Sequence, residues 1–373
     1  MKKIILMTTI LFLMSYAANA ADEVQLLSDE MFLSDSETAE IDANVDQDKD
    51  TDGESGGFFG FIRRPFSKLF SGGDTAEESA ETESALDKMI HAADKGDLES
   101  QMDLAYIYLY GDSETEQDFE KALHYYTLAA DQKDPVALNN LGSLYFSGIG
   151  TTGRNIKKAL RLFSEAAALG NDNAALNLAF IYLTGGKKDA SRNQRAIKLF
   201  EQAQAKNNIA KFMLGYAYYK GFVVPQNYEK AFQLVKEAAD DNSQIDEAQL
   251  VLAQMYAEGK GTVQNYQNAI NSYRSAVSQS NMEAVMTLAQ IYVDGVLCPK
   301  NKVLAHSLYN IAAAKNVPNA VQKRDSLAGE MKIEELTQAQ DIAQNYQSSP
   351  SELTEYIRQT YGLNIRRYID DNL

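Results

Sequence analysis

Apolar residues along this chain come in short bursts spaced three and four residues apart, separated by polar, glycine-containing turns. In the stretch 137–145, Leu138, Leu141 and Tyr145 keep the spacing of one helix face. Gly148 ends the pattern, since glycine tolerates the left-handed backbone of a helix cap. A loop with Gly150 and Asn155 follows, and a second burst carries Ala159, Leu162, Phe163, Ala166 and Ala167 before Gly170. The basic unit is thus expected to be two helices joined by a turn.

That unit recurs. Leu104/Tyr108/Gly111, Leu141/Tyr145/Gly148, Leu178/Tyr182/Gly185, Leu214/Tyr218/Gly221, Leu252/Tyr256/Gly259 and Leu288/Tyr292/Gly295 follow one another at steps of 37, 37, 36, 38 and 36 residues. A fixed period in this range marks a stacked array, in which each unit buries its apolar face against its neighbours. The second helices hold Ala122, Ala159, Ala196, Ala231, Ala269 and Ala305 at one register, small enough for neighbouring backbones to approach closely.

Leu-Gly-x-x-Tyr, then Gly-x-Gly, then Lys-Ala and Ala-Ala with a closing Gly or Asn, resembles the Sel-one-like repeat, a longer-looped relative of the tetratricopeptide repeat. The resemblance covers roughly Leu86 to Asn316, with six units and a partial seventh from Val317. Two departures touch the turns: the second loop glycine is clear only at Gly150 and Gly261, and Gly111-Asp112-Ser113 and the insertion from Gly185 to Arg192 alter the loop. The resemblance implies an all-α fold, a right-handed α-solenoid that serves as an adaptor for other proteins, exported in many bacteria and tied to envelope assembly, signalling or host contact. In the tetratricopeptide-like reading, the inner groove would be lined by Met102, Tyr106, Phe146, Phe180, Phe212, Tyr216 and Tyr219, a greasy stripe that fades toward Gln254 and Gln290. Such a stripe suits a peptide or helix partner, unless curvature buries the rings between repeats. Both readings remain open at this point.

The flanks differ from the repeats. Residues 1–20 read as an export signal, with Lys2 and Lys3, an apolar run from Ile4 to Met14 and Ala18-Asn19-Ala20 before the expected cleavage point. A periplasmic or secreted product is expected. Residues 21–85 are expected to be a disordered acidic extension, with thirteen acidic residues and one basic residue between Ala21 and Gly56, too polar to offset the entropy of ordering. Within it, 57–73 breaks the pattern with Phe58, Phe59, Phe61, Arg63, Arg64, Phe66 and Phe70. This tether is suited to a membrane face, to a partner, or to the protein's own groove. Beyond 86–316, the segment 317–373 reads as a partial repeat and a helical cap, with helices over 317–329, 333–346 and 353–363. Net charge is −17, of which only −4 lies from Lys88 onward. That balance argues against nucleic acid, because nothing would neutralise phosphates.

Candidate chemistry is sparse. His91, His124 and His306 each stand without a second ligand at metal spacing, and Cys298 has no cysteine partner. Asp48, Asp50 and Asp52 before Gly53 match half of a calcium loop, but Phe59 stands where a bidentate glutamate should, so a solvated acidic linker is the favoured reading. No cofactor and no catalytic site are expected. The functional expectation is an exported, non-catalytic adaptor of the bacterial envelope, with a secreted factor that meets host proteins and a regulator of an envelope or cell-wall enzyme as alternatives.

Overall fold

The computed structural model describes residues 84–151, 153–184, 189–240, 245–362 and 364–373. The export signal, the acidic extension up to residue 83, the Phe58–Phe70 tether and the acidic motif from Asp48 to Asp52 lie outside these. Helix α1 (Ala85–Asp94) leads into six helix pairs: α2 (Leu98–Tyr110) with α3 (Phe119–Asp131), α4 (Pro135–Ser147) with α5 (Ile156–Ala168), α6 (Asp172–Thr184) with α7 (Ala190–Ala203), α8 (Asn208–Lys220) with α9 (Tyr228–Asp240), α10 (Asp246–Glu258) with α11 (Tyr266–Ser278), and α12 (Met282–Asp294) with α13 (Lys302–Ala314). Then come α14 (Ala320–Ala328), α15 (Ile333–Gln344), α16 (Glu352–Tyr361) and α17 (Arg367–Asp370). No strand occurs among the described residues. The fold is the all-α repeat solenoid that the period implied.

Five of the six pairs are closed by the same local chemistry. The backbone N–H of the residue that caps the second helix donates to the carbonyl of the repeated tyrosine: Asp118 to Tyr108 at 2.7 Å, Asn155 to Tyr145 at 2.8 Å, Asn227 to Tyr218 at 3.0 Å, Asn265 to Tyr256 at 2.9 Å and Asn301 to Tyr292 at 2.9 Å. Those cap side chains in turn accept helix N–H groups that would otherwise lack partners, as from Lys121, Lys158, Lys230, Asn268 and Leu304. Two glycines permit close stacking. A Cβ on Gly150, at φ +69°, would sit 2.5 Å from the Phe119 carbonyl oxygen, and one on Gly261, at φ +71°, would sit 1.9 Å from that of Tyr228. In both cases the neighbour is the first residue of the preceding pair's second helix.

All six register alanines and all six repeated leucines are buried, which puts the apolar seam where the sequence placed it. The tyrosines divide. Tyr108, Tyr182 and Tyr292 are buried, whereas Tyr145, Tyr218 and Tyr256 are half-exposed. At two of these the hydroxyl meets a lysine at the edge of the core: Lys158 donates to Tyr145 at 2.7 Å and Lys230 to Tyr218 at 2.6 Å, each ammonium also lying over the ring.

The chain divides into two compact units, and the division runs through α7. The amino-terminal unit takes in α1 to α6 with Lys198–Asn207; the carboxyl-terminal unit takes in Lys188–Ile197 and Asn208–Leu373, hence α8 to α17. In the latter, α14 and α15 cover the last pair: Ala320 and Leu327 enter its core, and Met331, Ala343 and Tyr346 pack against it. The final helices α16 and α17 go elsewhere.

Candidate protein-binding site

The groove positions have different fates in the two units. In the amino-terminal unit Met102, Tyr106 and Phe146 are half-exposed, and Tyr110, one turn after Tyr106, is 56% exposed. The Tyr106 and Tyr110 rings lie 4.7 Å apart, and Arg154 stacks over Phe146 at 5.1 Å while its Nε donates to the Phe146 carbonyl at 2.9 Å. Phe180 is buried, edge to face with Phe200 at 5.9 Å. A polar rung joins neighbouring repeats, Asn177 Nδ2 donating to Asn139 Oδ1 at 3.0 Å.

In the carboxyl-terminal unit the equivalent face is covered by the chain's own end. Phe212 and Tyr216 are buried, and Tyr219 is half-buried between Tyr216 and Tyr228, with the Lys260 ammonium 5.1 Å from its ring. Burial pushes the Tyr216 and Tyr219 phenols above their usual range. The covering strap begins where Tyr346 Oη donates to the Val277 carbonyl at 2.6 Å and the Ser349 N–H to that of Ser278 at 2.8 Å. It then runs back across α12 and α10 to α8.

Three polar stations hold it. At the first, Arg358 Nη2 lies 2.9 Å from Asp246 Oδ2, and Thr354 Oγ1 donates to Gln279 Oε1 at 2.7 Å. At the second, the N–H groups of Ile365 and Arg366 donate to the two Glu247 carboxylate oxygens at 2.7 and 3.0 Å. The Arg366 guanidinium pairs with Glu283, reaches 3.6 Å from Glu247 and lies over the Tyr216 ring at 5.8 Å. At the third, Asp370 accepts from Tyr216 Oη at 2.9 Å and pairs with Lys220 at 3.1 Å. Between stations Leu353, Ile357, Ile365 and Ile369 are buried. Glu247 is 2% exposed, and that burial pushes its carboxyl up to about 8 against the pull of Arg366.

One feature of α10 shows how far the strap is built into the unit. The helices α2, α4 and α12 are capped by the side chains of Asp97, Asp134 and Asn281, but the cap position of α10 is Ile245, whose hydrocarbon side chain accepts no hydrogen bond. Thr354 of the strap supplies an acceptor to that helix end instead, its Oγ1 3.2 Å from the N–H of Asp246, the first residue of α10. Sequence reasoning passed over Asp246, Glu247, Glu283, Arg358 and Arg366. The signal that could have found them is Ile245 itself, an apolar residue followed by two acids at a register where other repeats carry Asp or Asn.

Elsewhere, His306 is buried with Nδ1 unbonded, and burial lowers its pKa. Among the described residues, no group of three His, Cys, Asp or Glu side chains could hold a metal ion, and no helix is long and apolar enough to cross a membrane.

Sel1 repeats match at residues 98–134, 135–171, 172–208, 209–243, 246–281 and 283–317. The structure resembles a Sel1 repeat protein from Oxalobacter formigenes, with a TM-score of 0.51 and 25% identity over 62% of this chain and 99% of that one. It also aligns with a protective antigen of uropathogenic Escherichia coli strains that displays an SLR fold, at a TM-score of 0.49 and 22% identity, over 74% of this chain and 66% of that one, just under two thirds of the antigen's length. No curated protein matches the sequence. The repeat matches cover more than half of the chain and coincide with the helix pairs, so the protein belongs to the Sel1 repeat family.

Proposed function

We propose that this is an exported, non-catalytic adaptor of the bacterial envelope that holds a protein partner on the first-helix face of its amino-terminal unit. Sel1 repeats generally form protein-interaction scaffolds, and the observation that carries the reading here is the apolar strip of Met102, Tyr106, Tyr110 and Phe146, left partly in contact with water although the repeat cores beneath it are closed. Single exposed apolar residues are common, but aromatic residues gathered on one face are the usual anchors of a protein interface. The basic start, apolar run and Ala18-Asn19-Ala20 of the leader support export.

The test places a photo-crosslinking residue at Tyr106 or Phe146 in living cells. A discrete adduct, lost when the other residue of the pair is changed to serine, is expected; uniform failure to crosslink from either position would sink the reading. Fractionation of the same cells separates a periplasmic pool, which fits an envelope role, from a supernatant pool, which fits contact with host proteins.

A further inference from the structure

We propose that the first-helix face of the carboxyl-terminal unit is a peptide-recognition site whose ligand is a segment with the spacing Ile-Arg-x-x-Ile-Asp, and that residues 365–370 occupy it until a partner protein bearing the same pattern takes their place. The proposal rests on the adaptor reading only for the existence of such a partner; the site itself is argued from the strap's contacts.

The recognition elements are specific. Glu247 takes two successive backbone N–H groups at the turn that opens α17, where Arg366 is in the helical region at φ −65° and ψ −26°, and so fixes where the peptide lies through its backbone and not its side chains. Selection comes from the side chains. Arg366 bridges Glu247 and Glu283, which occupy the same register in adjacent repeats, and its guanidinium also faces Tyr216. Ile365 and Ile369 are fully buried, and Asp370 meets one hydroxyl and one ammonium. By contrast Arg367 and Asp371 have exposed side chains that pair with each other one turn apart, so these positions are free to vary.

The chemistry of the face is that of an exchangeable contact. The repeats meet through alanine and leucine, which cannot be left in water without cost. Residues 365–370 cover Glu247, Glu283, Lys220 and the Tyr216 hydroxyl, all of which hydrate readily once uncovered, as expected of a transient interface and not of an obligate one. Gly362, at φ +93°, joins α16 to the occupying segment and gives a point at which residues 364–373 can swing while the Thr354 and Arg358 station holds. A tethered ligand competes at millimolar effective concentration, so the chain's own segment sets the threshold that a partner must exceed.

The experiment uses the full chain and a fluorescent synthetic peptide of residues 351–373, read by anisotropy. In full-length Arg366→Ala protein the internal segment is weakened and the face becomes available. That variant should bind the peptide at least about tenfold more tightly than wild type does, consistent with removal of a tethered competitor. Adding Glu247→Lys should abolish the binding. Peptides changed at Ile365, Arg366, Ile369 or Asp370 should bind at least about tenfold less tightly, the scale of losing one anchor, whereas changes at Arg367 or Asp371 should be neutral. Equal binding by wild type and a folded Arg366→Ala variant would overturn the proposal. Should that variant fail to fold, hydrogen exchange in wild type decides: faster exchange at Ile365 and Arg366 than at Leu252 supports separable opening, and equal protection refutes it. Neither measurement involves an outside partner, so failure here leaves the crosslinking result at Tyr106 and Phe146 intact, and the reverse also holds.

Discussion

The two units present the same face of the same repeat in opposite chemical states. In the amino-terminal unit that face is apolar and partly wet, with Tyr110 the most exposed of its rings at 56%. In the carboxyl-terminal unit it is charged and dry, and Tyr216 is covered by the chain's own Arg366 and Asp370. The repeat frame is shared, down to the tyrosine carbonyl that closes the turn in five of the six pairs. What differs is a handful of residues on the surface of the first helices. The repeat thus fixes where a segment can dock, and the surface residues decide which kind.

That contrast can be broken most severely at Glu247. Glu247→Lys sets a cation against Arg366 and removes both acceptors for the strap backbone, so the strap should detach with a loss of about 3 kcal/mol, the scale of an uncompensated buried charge. Hydrogen exchange should show lost protection at Ile365 and Ile369, with protection in α2 and α4 unchanged. Equal loss in both units would erase the contrast.

Acidity should act on the same contact with a defined sign. The Glu247 carboxyl, raised to about 8 by burial while Arg366 and the strap N–H groups pull it down, faces Arg366, Asp246 and Tyr368. Tyr368 is pushed up to about 12, chiefly by burial, and keeps its proton through this range. The docked state therefore holds a proton that the open state, near the ordinary value of about 4.3, releases. Docking should be strongest below that ordinary value and weaken as pH rises to about 8, by up to about tenfold per pH unit between the two. Anisotropy competition at pH 6 and pH 7 measures it.

Thr354→Val tests the borrowed cap. Losing the acceptor at the α10 amino terminus should cost about 1 kcal/mol, seen as earlier unfolding of the carboxyl-terminal unit. The smallest effect belongs to the other face: Phe146→Ser should lower stability by under about 1 kcal/mol, the ring being half-exposed, yet it should abolish crosslinking from Tyr106. A large fall in stability would instead make Phe146 a core residue.

Much of the architecture was legible in the residues because the repeat states it six times. A leucine, a tyrosine, a glycine and an alanine at fixed offsets leave few arrangements that bury them together, and the burial of every register alanine bears that out. The aromatic stripe was legible as a set of positions but not as a state. Phe180 turns against Phe200 and Phe212 is buried, whereas Phe146 is half-exposed, and no periodicity distinguishes those outcomes. The strap was hardest to see. Arg366 lies 119 residues from Glu247, and a charge pair at that separation leaves no spacing to read. Only Ile245, an apolar residue in a capping position, hinted that something else must complete α10.

In five of the six pairs the bond from the tyrosine carbonyl to the start of the next helix pins both ends of the intervening turn, so that, apart from glycines such as Gly150 and Gly261 that stack on the preceding pair, the residues between are released from holding the helices together. These turns are sockets: foreign sequence could be spliced in beyond Gly111 or Gly295 while the stack keeps its pitch, letting such a protein acquire new specificities without rebuilding its frame.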